Sequence, residues 1–160
     1  MEATEFPSVA PVLDPAVRKA CRLPYPGHPR GCPNWGKRAD CPPRAALLPD
    51  VLDLSNPVYV AYTSFDLGAH VERMRARHPD WSDRKLRCCL YWQGTARKAL
   101  WKKIEAFLET RPGLLALTCP EACGVDVTAS MALIGVKLDW PPMKLTYQVA
   151  LIGTPVNAAR

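Results

Sequence analysis

The chain has no apolar run near the roughly 18–20 residues of a membrane span, so no membrane role is expected. Nothing in it resembles a Ser-His-Asp triad, a phosphate-cradling glycine loop or a dinucleotide fingerprint. No internal repeat is visible in its 160 residues. The opening "MEATEFPSVAPVLDP" has acids and prolines where a secretory leader would have a basic start and an apolar block. The expectation is a cytoplasmic protein. In that reducing setting structural disulfides do not persist, and an odd count of seven cysteines cannot pair completely.

What the chain does have is grouped thiols. "CRLPYPGHPRGCPNWGKRADCPP", Cys21 to Pro43, carries Cys21, Cys32 and Cys41 in a segment too rich in proline for a helix or an inner strand. Their spacing is not the C-x-x-C of a zinc ribbon or a bacterial ferredoxin. Context adds weight. Proline beside Cys32 and Cys41 stiffens the backbone and nearby glycines permit tight turns, so less conformational entropy is lost when several sulfurs meet at one centre. Further on, "TCPEACG" supplies Cys119 at the end of an expected strand, where an open α/β sheet places its site. Cys123 is either a second donor there or a packing residue under the next helix.

Thiolates select soft or borderline metals. Cys21, Cys32, Cys41 and Cys119 would complete a [4Fe–4S] or a zinc site, with His28 and His78 in reserve. With three ligands, one metal corner would stay open to substrate. Cys88 and Cys89 are expected inside a long helix, where neighbours diverge by about 100° and cannot both face the core; neither is expected to be a ligand.

Composition is that of one globular domain, with 48% hydrophobic and 22% charged residues. Eleven of the seventeen prolines fall in residues 1–57, so the first third should be extended chain and turns, 1–20 forming a flexible or extended arm. A short helix is expected in "PRAALLPDVLDL". "VYVAYTSF" reads as a strand, and Asp66 as the cap of a helix stopped by Pro79. A long helix from Asp83 to Thr110 follows, capped by Asp80 or Ser82. "LLALT" is a short strand, "DVTASMALIG" a helix between Asp126 and Gly135, and "KLTYQVALIG" the last strand. The fold class is therefore α/β: a small single-domain sheet flanked by helices, 1–160, with an irregular Cys/Pro-rich N-terminal segment.

On the long helix, Gln93 and Arg97 project into the apolar arc of Leu86, Leu90, Leu100, Ile104 and Leu108. A buried guanidinium needs an anion. One reading is a salt bridge to Asp126 or Glu121; the other makes Arg97 and Gln93 candidate catalytic residues, holding and orienting an anionic substrate. The net charge of +6 is concentrated. Arg18, Lys19, Arg22, Arg30, Lys37, Arg38 and Arg44 face only Asp40 in their stretch, which suits RNA, an acidic protein partner or compensation of thiolate charge.

"CPNWGKRADCPP" and "EACGVDVTASMALIGV", with the closing "YQVALIG", resemble a family of cysteine-rich proteins predicted to bind metal, whose reaction is not known. The resemblance implies an iron–sulfur α/β domain with Cys32 and Cys41 as ligands and Cys21 next. The family's further cysteine-rich run is reduced here to "TCPEACG", which implies a single site. Two functions stand: an iron–sulfur protein with a redox or cluster-based role and an unknown redox or protein partner, or a zinc-stabilised module contacting RNA or an acidic protein.

Overall fold

The last strand is the centre of the molecule. The computed structural model describes residues 5–156, and in it the strands β1 (Tyr59–Asp66), β2 (Leu115–Leu117) and β3 (Leu145–Gly153) form one antiparallel sheet in the order β1-β3-β2. Tyr59 pairs with Ile152 and Asp66 with Leu145, while Leu115 opposes Gly153. Because β3 is flanked on both edges, its second half is buried on both faces. The period-2 alternation then feeds two cores at once. Ala150 and Ile152 face one side with Ala61; Val149 and Leu151 face the other with Val60.

Five helices flank the sheet: α1 (Leu48–Val51), α2 (Leu67–Arg77), α3 (Asp83–Leu86), α4 (Gln93–Thr110) and α5 (Val127–Ala132). On one face α4 lays Leu100, Ile104 and Phe107 against Ala61, Ala150 and Ile152. On the other, Leu48 and Leu52 from α1 and its end meet Val125, Val127 and Met131 of the α5 region. A third cluster joins Leu67 and Val71 of α2 to Leu86, Cys89, Trp92 and Ala96. The α/β class and the three strands agree with the sequence reading. So do the caps: Asp66, Ser82 and Asp126 accept from the backbone N–H groups of Ala69, Lys85 and Ala129 at 2.8, 3.2 and 2.9 Å.

One expectation is made more specific and one is corrected. The arm expected at 1–20 forms no helix or strand from residue 5 to Asp14, and it is tied to the body of the molecule. Val9 and Asp14 donate backbone N–H groups to Val58 and Gly124 at 2.9 and 2.8 Å, and Asp126 donates to Val12 at 2.8 Å. The chain then closes into a 3-10 turn, Pro15–Arg22, capped by Asp14. Residues 1–4 lie outside the described part.

The helix expected from Asp83 to Thr110 is interrupted. Between α3 and α4 lies a 3-10 turn, Cys89–Tyr91, with Cys88 extended at φ −58°, ψ 124°. The Trp92 indole N–H donates to the Arg87 carbonyl at 3.1 Å inside the break. Within this break Cys88 and Cys89 are both buried.

His70, on α2, is buried beside Phe65 with its Nε2 atom unpartnered. Burial, and then the Arg73 charge, hold its pKa below the ordinary histidine value. The folded state therefore refuses a proton that the unfolded chain accepts. Stability should be full above pH of about 6.5 and decline as pH falls below it, until the depressed folded value is passed. His70→Phe is expected to flatten that part of the stability profile; thermal melts between pH 5 and 7.5 read it, and an unchanged slope would assign the acid sensitivity elsewhere.

Candidate metal centre

Three distant segments build the site. Cys21 ends the first 3-10 turn, and its carbonyl accepts the N–H of Cys32 at 2.7 Å, which ties two thiol-bearing residues side by side. Gly31 makes that approach feasible. It has φ +83°, and a Cβ there would stand 2.7 Å from the Arg22 carbonyl carbon and oxygen. Cys41 sits in a tight loop whose carbonyl accepts from Arg44 and Ala45 at 3.0 and 2.9 Å. The Arg18 guanidinium holds the same loop, donating to the Pro43 and Ala45 carbonyls at 2.7 and 3.0 Å.

The third segment is the 3-10 turn Pro120–Cys123, with Cys119 as its cap directly after β2. It packs against the first turn, Pro15–Arg22. The close approach is at Gly124, φ +78°, where a Cβ would come within 3.3 Å of Pro15 Cα. Packing of the two turns carries Cys119, Glu121 and Cys123 toward Cys21.

The thiols are close enough to sense one another. Burial raises the Cys21 pKa, and so do the neighbouring Cys32, Glu121 and Cys41 charges, with Arg18 opposing. Burial and then Asp40 raise Cys41, with Cys32 adding to them. Cys119 is pushed up to about 11 by desolvation, then Glu121, then Cys41 and Asp40, against the Arg97 guanidinium. Cys119 and Glu121 both reach solvent, yet loss of hydration raises both pKa values. Cys123 is buried, and burial raises its pKa.

Two neighbours were not expected beside these thiols. Tyr25 is pushed up to about 12 by burial and by the neighbouring Cys32, Cys89 and Cys21. The Cys32 charge is also felt at Cys89, whose pKa burial raises first. No spacing or periodicity marks Tyr25, because its place depends on how the loop returns to the α3–α4 break.

The other candidates make different contacts. His28 packs edge-on against Tyr25 at 5.1 Å, and His78 stacks on Trp81 at 4.0 Å. Arg97 is exposed, not buried, and Gln93 opens α4 half-buried. Among the described residues Arg97 forms no ion pair with Asp126 or Glu121. Its charge is instead felt by Cys89 and Cys119.

Much of the basic block is structural. Arg18 and Arg44 donate to loop carbonyls, Arg38 pairs with Asp40 at 3.1 Å, and Arg22 lies over Trp35. Lys19, Arg30 and Lys37 remain exposed.

Among the described residues, no three or more His, Cys, Asp or Glu side chains are arranged around a point fit for a single metal ion. In the metal-free protein Cys119 should alkylate slowly at pH 8 despite its exposure, because so little of it is thiolate. Iodoacetamide rates at Cys119 should climb steadily toward pH 11; a plateau by pH 8 would contradict the desolvated setting. No protein-family model, no curated protein and no solved structure matches this chain.

Proposed function

We propose that this chain is an iron–sulfur protein holding one [4Fe–4S] core through Cys21, Cys32, Cys41 and Cys119, with a redox or cluster-based role. The observation that supports this reading is that these thiols, from segments far apart in sequence, lie within electrostatic reach of one another in a chain, Cys21 with Cys32 and Cys41, and Cys41 with Cys119.

The zinc and cluster readings differ in the sulfur spacing each requires: tetrahedral zinc, with zinc–sulfur bonds of about 2.3 Å, draws its sulfurs to within about 3.8 Å of one another, while a polynuclear core interposes several atoms and keeps them farther apart.

The remaining groups fit the same assignment. Arg18 and Arg97 offset thiolate charge at Cys21 and at Cys119. Tyr25 lies within electrostatic reach of Cys32, and Cys123 is buried at the end of the Pro120–Cys123 turn. When bound, the cluster supplies one-electron redox capacity or a Lewis-acidic iron. Because the raised thiols must lose protons to ligate, loading should be favoured by rising pH. Exposed Lys19, Arg30 and Lys37 offer cations to an acidic redox partner. The likeness to cysteine-rich metal-binding proteins points the same way.

The test is elemental. Protein isolated without oxygen should carry about four irons and about four acid-labile sulfides per chain. One zinc and no iron would favour the zinc-stabilised binding module instead, and no metal of either kind would discard both.

A further inference from the structure

Cys88 and Cys89 lie outside the four-cysteine set, and nothing in the proposed function uses them as ligands. The break between α3 and α4 buries both and turns both sulfurs toward one point of the opposite loop. A Cβ on Gly27 would stand 2.9 Å from Cys88 Sγ and 3.1 Å from Cys89 Sγ. Gly27 also has φ +102°, a left-handed backbone that L side chains rarely adopt. The Cys89 N–H faces the Pro26 carbonyl at 3.5 Å, which holds that loop over the pair.

Two sulfurs that stand 2.9 and 3.1 Å from one point are themselves at most about 6 Å apart, and both residues are buried. A two-coordinate ion placed between two thiolates holds its sulfurs two metal–sulfur bonds apart, which falls within that limit. The number of donors narrows the ligand. Among the described residues no third His, Cys, Asp or Glu joins them in a group that could hold an ion. Zinc, which takes four ligands, is poorly served by two. Soft monovalent cations are content with two thiolates, and thiolate selects copper(I) among them.

We propose that Cys88 and Cys89 form a two-sulfur site for a soft monovalent cation of the copper(I) class, covered by the Gly27 backbone. Binding breaks two S–H bonds and forms two sulfur–metal bonds, releases two protons to solvent and transfers no electron. The bound pair carries one net negative charge, and the Arg97 guanidinium is placed to offset it at Cys89. The proposal does not rest on the iron–sulfur reading, and iron content does not enter its test.

Copper(I) alone is supplied without oxygen against a chromogenic copper(I) chelator. The unaltered protein should retain one equivalent more than Cys88→Ser or Cys89→Ser. Gly27→Ala, which keeps every thiol, should weaken retention of that equivalent by more than about tenfold. Equal retention by all four proteins would overturn the site. X-ray absorption of the unaltered protein with one equivalent of copper(I) reads the same point without any substitution. Two sulfur neighbours at copper support the proposal; three or more, or nitrogen and oxygen neighbours, overturn it.

Discussion

Cys32→Ser is expected to reduce iron and labile sulfide from about four of each per chain to background, the largest compositional change of any single substitution. Cys32 stands at the middle of the thiol group: its charge is felt at Cys21, Cys41, Cys89 and Tyr25. Serine has nearly the same shape, but its hydroxyl is a hard donor that stays protonated at neutral pH, so the ligand is lost while the packing is kept. The backbone bond from residue 32 to the Cys21 carbonyl does not involve the side chain. The variant should therefore melt within about 1 kcal/mol of the metal-free parent. Full iron content in a folded Cys32→Ser protein would remove this residue from the site.

Gly31→Ala should be more damaging than any cysteine exchange, because it acts on the backbone that brings Cys32 to Cys21. The left-handed conformation alone costs about 1–2 kcal/mol for an alanine. To this is added a methyl placed 2.7 Å from the Arg22 carbonyl and 2.9 Å from its Cα, contacts with backbone that cannot swing aside. The two strands of the loop must separate, and the 2.7 Å bond between Cys32 and Cys21 with them. Gly135→Ala is the matched control. Its φ is +81° and nothing lies within 4 Å, so only the conformational strain applies. Denaturant melts should show Gly31→Ala losing more than Gly135→Ala, together with loss of iron uptake that the control retains. Equal losses in the two variants, with iron uptake intact, would mean that the Cys21–Cys32 contact does not organise the site.

The strands and caps were legible because each rests on a local rule: β-branched runs for β1 and β3, and an Asp or Ser side chain accepting from the third residue on for α2, α3 and α5. The long helix was misread for an equally local reason. Leucine spacing alone carries the pattern through Arg87–Trp92, but Leu90 lies in the break and is 70% exposed. Placing Leu90 in the apolar arc shifted its centre toward Arg97 and made an exposed guanidinium look buried. The observed arc of Ala96, Leu100, Ile104 and Phe107 leaves Arg97 at its border.

The thiol group was legible only in part. Proline and glycine around Cys32 and Cys41 announce a stiff loop, and Cys119 follows a strand. Nothing local shows that the turn Pro15–Arg22 docks on Pro120–Cys123, since that contact depends on the N-terminal segment running along β1 and α5. Tyr25, Glu121 and the convergence of Cys88 with Cys89 on Gly27 are consequences of that tertiary arrangement.

If Cys21, Cys32, Cys41 and Cys119 hold one core as proposed, they should act as one when iron and sulfide are offered. Differential alkylation, mapped by mass spectrometry before and after anaerobic reconstitution, measures this residue by residue. Protection should appear jointly at Cys21, Cys32, Cys41 and Cys119 in the reconstituted protein. If those thiols label as readily after treatment as before, or if protection falls on a different set, these four cysteines do not hold the core.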